Sequence, residues 1–309
     1  MALFVVAAAV FYLLAGGITF GSADSWMIIE KVRLPRVFAA MVTGAALAAS
    51  GCVFQAVLRN PLADPFTLGV SGGAAFGASV FFVSGVAAVS ALFAPVFAFA
   101  GALLAVLCVY FLSARKKFDS YSMILSGVII SYIFSSAVMI VYALSSADQM
   151  QSAIMWLMGS FSFIDERILP ASAAVAILGT VILYFYGNVI NVISLGQNKS
   201  NSLGINTERS VKILFITASL ITASVVAICG VIGFVGLMAP HIMRRFTGAN
   251  NKTLIAASAM FGAGFLPLCD AISRIIFAPV IIPVGVITSV IGGVFFIALL
   301  LKSGNYDRV

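Results

Sequence analysis

Few residues of this 309-residue chain are of types that could perform chemistry. The single histidine, His241, follows Pro240, and a zinc site would need several convergent ligands that do not lie near it. The four cysteines lie in apolar segments without paired spacing, which is typical of packing residues. No Gly-x-x-x-x-Gly-Lys-Ser/Thr loop is present for nucleotide phosphates. The sequence therefore predicts no enzyme, no metal centre and no cofactor bound by this chain.

One acidic residue stands out among the ten in the chain, because it lies within an apolar segment. Asp270 and Arg274 are four residues apart, so on a helix they share a face and can pair. An acid inside a membrane segment is a functional candidate by default. We favour the structural explanation, an ion pair, because the other acids lie in loops or at segment ends. No series of buried carboxylates is available to relay protons.

The composition predicts the class of protein that must position these residues. The chain is 62% hydrophobic and 9% charged, with a mean hydropathy of +1.16, which indicates an all-α polytopic membrane protein. Residues 145–169 are mixed and predict an interfacial helix and loop. Apolar segments of spanning length, the eighth of them short, lie at 2–20, 37–56, 67–84, 91–113, 122–144, 170–187, 209–230, 232–246, 253–273 and 284–301.

Lysine and arginine predict the orientation of these ten spans. With the N-terminus inside, the inner loops hold twelve of the seventeen basic residues and the outer loops hold five. Both termini, residues 114–121 and residues 187–212 are therefore expected in the cytoplasm. Arg33, Arg36 and Arg274 lie at outer ends of spans, against this trend. They either snorkel to lipid headgroups or form a docking site for an acidic partner outside.

A stretch of small residues followed by a polar corner suggests a transport path. Small residues dominate positions 44–51, and such residues mark a closely packed helix face in membranes. Pro61 and Pro65 then bracket a polar corner, where Asn60 and Asp64 are expected to cap backbone groups. We interpret this span and corner as the inner wall of a translocation path.

The longest inner loop, residues 187–212, is the second candidate element. Leu195-Gly196 and Leu203-Gly204 bracket a polar stretch, and two short helices with glycine breaks would fit this spacing. The functional interpretation is a docking element for a cytoplasmic partner, since loops of this length are often functional. The alternative is an ordinary solvated loop.

Several motifs in one order resemble the FecCD-type permease subunits of type II ABC importers for iron-siderophore, haem or cobalamin. The resemblance covers nearly the whole chain, from residues 1 to 309, as one permease domain. The matching motifs are Arg-Leu-Pro-Arg at 33–36, Arg-Asn-Pro-Leu-Ala-Asp-Pro at 59–65, Leu-Gly-Val-Ser-Gly-Gly-Ala at 68–74, Gly-Phe-Val-Gly-Leu at 233–237 and Pro-Val-Gly at 283–285.

The resemblance implies a homodimer in a bacterial or archaeal cytoplasmic membrane, two cytoplasmic ATPase subunits that bind ATP, and an extracytoplasmic solute-binding protein. It implies a translocation gate at Asn60, Leu62, Ser135 and Ser136. It implies ATPase coupling at Leu195, Gly196, Leu203, Gly204 and Ile205. It implies binding-protein docking at Arg33, Arg36 and Arg274.

The predicted function is a transmembrane permease subunit of an ATP-driven importer, which takes up a metal chelate delivered by a solute-binding protein. The alternative is an ion-coupled secondary transporter of a small solute. That class needs buried ionisable residues or broken helices near the membrane midplane, and only Asp270 comes close.

Overall fold

The computed structural model of the protein describes residues 1–14, 27–86, 90, 92–162 and 164–303, and within those ranges it is helical without a β-strand. A π-helical turn, Ile29–Arg33, leads into α2, and a 3-10 turn, Pro65–Leu68, precedes α3. The α-helices of the described ranges are α1 Ala2–Leu14, α2 Leu34–Val57, α3 Val70–Val83, α4 Phe93–Ala114, α5 Ser120–Ala143, α6 Ala147–Leu157, α7 Leu169–Phe185, α8 Gly187–Ile193, α9 Gln197–Ser202, α10 Thr207–Cys229, α11 Val235–Thr247, α12 Asn251–Ile275 and α13 Val284–Ser303.

Ten of these helices coincide with the ten predicted apolar segments, which confirms the all-α membrane fold. Six are long and apolar enough to cross a membrane alone, and α7 with α8 forms a further candidate span bent by 55°. The apolar helices α1 and α3 are shorter. Residues 15–20 of the first predicted segment, Asp24, and the C-terminal Asp307 and Arg308 lie outside the described residues.

Helix α2 is the centre of the bundle. Its most apolar 18-residue window is 83% buried, against 28% for α5 and 22% for α13. It packs along α12 and also contacts α10 and α11. The outer faces of α5 and α13 are instead left uncovered by the described residues, as their low burial shows.

Glycines set the close approach of α2 to its neighbours. Gly44 lies against the backbone carbonyl of Gly262 in α12, and Gly51 lies against that of Gly236 in α11. A Cβ atom at Gly44 or Gly51 would overlap the facing backbone, so the small-residue run is a helix-packing face. The interpretation of this span as the inner wall of a translocation path is therefore wrong for residues 44–51, because α11 and α12 cover them.

The eighth predicted segment begins later than expected. Helix α10 ends at Cys229, and Gly230 and Phe234 have φ values of 74° and 68°, which interrupt the helix before α11 begins at Val235. Since Gly236 packs on Gly51 within α2, α11 starts inside the bundle and spans only part of its thickness. Irregular backbone at such depth is tolerated only where protein or water surrounds it.

Candidate functional site

The polar corner begins with an unusual end to helix α2. Leu58 is the C-cap, and Arg59 follows with a left-handed φ of 49°. The Asn60 N–H donates to the Gln55 carbonyl at 3.1 Å, and the Arg59 N–H donates to the Ala56 carbonyl at 3.3 Å. These two bonds form a Schellman motif, in which the left-handed residue is usually glycine. The corner thus turns sharply at a residue that bears a long side chain.

The two predicted capping residues hold the rest of the corner. Asn60 Oδ1 accepts the Leu62 N–H at 2.9 Å, and Asp64 Oδ1 accepts the Phe66 N–H at 2.9 Å. The Asp64 carbonyl also accepts the Thr67 N–H at 3.0 Å. Leu62 projects from this turn with 60% of its surface exposed. The corner therefore presents an apolar side chain on a backbone fixed by local hydrogen bonds.

Asp64 is unusual because its carboxyl group lies in a buried part of the corner. The residue as a whole is 6% exposed. Burial raises the pKa of Asp64 to about 6, and the hydrogen bond from the Phe66 N–H opposes this rise. Asp64 thus titrates nearer to neutral pH than an ordinary aspartate.

Ser135 and Ser136 lie on the exposed face of α5. This helix packs through Gly127, Ile130 and Phe134 against α3 and the 3-10 turn. Gly127 contacts Leu68, so Ser135 lies eight residues, or about 12 Å along the helix axis, beyond the turn that follows the corner. The predicted gate residues therefore lie at two different depths along the bundle, with Asn60 and Leu62 in the corner and Ser135 and Ser136 farther along α5.

The long loop folds as α8 and α9, which confirms the prediction of two short helices with glycine breaks. Gly196 and Gly204 have φ values of 109° and 78°, and open space surrounds both. Leu195 and Leu203 flank α9 and are 57% and 62% exposed. The loop thus offers two apolar side chains on a polar helix, next to glycines that have room for a partner.

The loop lies at the same end of the bundle as the corner. Arg59 contacts the end of α8, and Lys212 at the start of α10 lies 5.3 Å from the ring centre of Phe118, in the connection between α4 and α5. We call this end, which holds residues 58–64, 114–121 and 187–212, the basic end of the bundle. The predicted gate corner, residues 58–64, and the predicted coupling loop, residues 187–212, are therefore neighbours.

The three arginines of the opposite end meet in a buried cluster. Arg36 Nε and Nη2 donate to the two carboxylate oxygens of Asp270, each at 2.8 Å, and the Tyr12 hydroxyl donates to Oδ2 at 2.7 Å. Arg274 lies 3.9 Å from Asp270 and stacks 4.1 Å from the ring centre of Tyr12. Arg33 Nη1 donates to the Leu13 carbonyl at 2.6 Å.

This cluster is largely shielded from solvent. The side chains of Arg36 and Arg274 are 11% and 16% exposed, and that of Asp270 is 1% exposed. The predicted pairing of Asp270 with Arg274 is present as an ionic contact. The bidentate partner, however, is Arg36, which lies 234 residues away and gave no sequence signal.

His241 has a packing role, as its isolation in the sequence indicates. Its ring lies edge-on to Phe295 and Phe296, with centroid distances of 5.8 and 6.1 Å. No group of three or more histidine, cysteine, aspartate or glutamate side chains suited to a metal occurs in the described part of the chain.

Comparison with known proteins places this geometry in a family context. The model of the FecCD transport family matches residues 1–302. A Methanocaldococcus jannaschii protein described as an ABC transporter permease is 38% identical over 94% of this chain and 85% of its own length. A Helicobacter pylori protein described as an iron chelatin transport permease is 36% identical over 90% of this chain and 83% of its own. A solved transporter, described as metal-chelate type and inward-facing, matches with a TM-score of 0.85 and 31% identity over 97% of both chains.

Proposed function

This chain belongs to the FecCD transport family, and from that membership we propose that it forms the membrane passage for a metal chelate entering the cell. It is a multi-pass permease subunit of an ABC importer, and ATP hydrolysis resides in a separate subunit. The cargo we propose is an iron-siderophore, haem or cobalamin. The iron chelatin and metal-chelate descriptions of two relatives support this class.

The main support for this proposal comes from the coupling loop. Leu195 and Leu203 are exposed at the basic end, on a loop whose helices are otherwise anchored to the bundle. Exposed apolar side chains on a structured loop are typical of a protein contact. We propose that Leu195, Gly196, Leu203, Gly204 and Ile205 contact a cytoplasmic ATPase subunit, so that this end and both termini face the cytoplasm.

The passage is proposed to lie along the exposed faces of α5 and α13, between two copies of the chain. Ser135 and Ser136 on α5 and Ser289 on α13 are exposed polar residues on spans, where water or a polar solute would solvate the hydroxyl groups better than lipid does. A cleft of about 500 Å³ lies beside α13 and is lined by Met158, Gly233 and Ser289, among others. A twofold dimer would bring such faces together, with Asn60 and Leu62 narrowing the passage at the basic end.

Docking of a solute-binding protein is proposed at the arginine cluster. Arg36 and Arg274 bring two positive charges against one carboxylate, Asp270, and Arg33 lies at the same end of the bundle. An acidic group on the partner would offset this excess.

The ion-coupled transporter gains no support from the geometry. Asp64 and Asp270 are the buried acids of the described residues. Asp64 lies in the corner, and Asp270 is neutralised by Arg36.

The test of the proposed function is Gly204→Arg, with Gly248→Arg as the matched control. Both glycines have a positive φ, 78° and 74°, and open space around them, so each substitution places an arginine at a strained backbone position without a clash in this chain. Gly204→Arg is expected to insert normally but to lose ATPase copurification and ATP-driven uptake of iron-hydroxamate, haem or cobalamin into proteoliposomes. Gly248→Arg is expected to retain both. Normal uptake by Gly204→Arg with its ATPase bound would contradict the coupling assignment.

A further inference from the structure

Arg59 occupies a helix-terminating position that usually holds glycine. The left-handed position that ends a Schellman motif favours glycine, because any other residue meets steric strain there. A non-glycine residue in this region costs about 1–3 kcal/mol and persists when the surrounding structure requires it. A glycine at position 59 would make the same turn into Asn60 and Pro61 with less strain. The side chain of Arg59 is therefore the feature to explain.

That side chain reaches the end of the coupling loop's first helix. Arg59 Nη2 donates to the carbonyl oxygen of Ile193, the last residue of α8, at 3.2 Å. The Gly196 N–H donates to the same oxygen at 3.1 Å. The carbonyl groups at a helix C-terminus carry partial negative charge, which a guanidinium group stabilises. Arg59 thus joins the start of the corner to the hinge between α8 and α9.

The two loop helices are fastened to one another and to the bundle. The buried hydroxyl of Ser200 in α9 lies 2.8 Å from the Val192 carbonyl in α8. Asn191 Oδ1 accepts bonds from the backbone and side-chain N–H groups of Asn251, at 2.8 and 2.9 Å. A force on Leu195 or Leu203 would therefore move α9 together with the end of α8, rather than bend a free loop.

We propose that Arg59 is a positioning residue that passes displacement of the coupling loop to the gate corner. The path runs from α9 through Ser200 to the last turn of α8, and from the Ile193 carbonyl through Arg59 to Asn60 and Leu62. This inference rests on the proposed function, since it assumes that an ATPase subunit moves the loop. The competing explanation is a basic anchor for the membrane surface, in which charge alone matters.

The chain offers a matched control at Lys117. Lys117 lies at the same end of the bundle, bears the same charge and has a left-handed φ of 53°. Its side chain makes no hydrogen bond to α8 or α9 among the contacts of the described residues. Lys117→Gly and Arg59→Gly therefore remove the same charge and relieve the same kind of strain. Only Arg59→Gly removes the bond to Ile193.

The experiment follows movement of the corner without needing the cargo. Leu62→Cys is introduced with the four native cysteines replaced by alanine, and the protein is purified with its ATPase subunit and reconstituted in proteoliposomes. The rate at which a maleimide modifies this cysteine is measured with and without ATP and vanadate. In the parent protein the nucleotide is expected to change the rate about fivefold or more, the lower end of typical allosteric coupling.

Arg59→Gly is expected to keep ATPase binding and basal hydrolysis but to lose the nucleotide-dependent change in rate. Lys117→Gly is expected to keep the change, and Arg59→Lys to keep part of it. An unchanged nucleotide response in Arg59→Gly would overturn the relay, and so would loss of ATPase binding, because Arg59 would then support docking. A parent protein that shows no response would instead contradict the proposed function.

Discussion

The buried pair of Arg36 and Asp270 allows a quantitative prediction. Asp270→Ala removes the carboxylate that accepts three hydrogen bonds, two from Arg36 and one from Tyr12. Arg36 would remain 89% buried with its charge unpaired, since its side chain is 11% exposed. Removing one partner of a buried ion pair typically costs about 3–5 kcal/mol, mainly because the remaining charge stays out of water. We expect a loss of this size in the free energy of unfolding.

A double substitution distinguishes the loss of the ion pair as a whole from the cost of leaving one of its charges unpaired. Arg36→Met with Asp270→Asn removes both charges and nearly keeps both side-chain volumes, so that no unpaired charge stays buried. The double variant is therefore expected to unfold with a smaller loss than Asp270→Ala. The assay is unfolding by sodium dodecyl sulfate in mixed micelles, followed by circular dichroism.

The control is the exposed pair of Asp165 and Arg167. Arg167 also donates two side-chain bonds to its aspartate, at 3.1 and 3.0 Å, but its side chain is 73% exposed. Asp165→Ala should leave the unfolding curve unchanged, because solvent screens surface pairs. The reasoning would be refuted if Asp270→Ala behaved like Asp165→Ala, or if the double variant lost as much as the sum of its single changes.

Two further predictions concern packing and pH. Gly262→Ala is expected to cost about 1–3 kcal/mol in the same assay by forcing α12 away from Gly44, whereas Gly72→Ala, whose Cβ would have ordinary contacts, should be tolerated. Because burial raises the pKa of Asp64 to about 6, the folded protein holds this proton more tightly than the unfolded chain, so the free energy of unfolding should fall as pH rises from about 4 to above 6. The fall should be on the order of 3 kcal/mol, and Asp64→Asn should flatten it; the same slope in both proteins would contradict the assignment.

Much of the architecture follows from the sequence because its causes are local. The length of each apolar run predicts a membrane helix, and the glycines at 196 and 204 predict the breaks around α9. Asn60 and Asp64 cap the corner as their types and positions indicate, since these bonds reach only two residues along the chain. The coupling-loop helices are likewise confirmed. The roles proposed for the loop and corner remain predictions, because they depend on partner subunits.

The tertiary structure decided which distant residues meet. Arg36 and Asp270 are 234 residues apart, and Arg59 and Ile193 are 134 apart, so no periodicity in the sequence relates them. The small residues of α2 predicted close packing, but not that α11 and α12 would cover them. Membrane helices share nearly uniform hydrophobicity, so the pattern that identifies a span says little about its neighbours. Those neighbours are chosen by shape, where one backbone can approach another, and by the need of each buried charge for a partner.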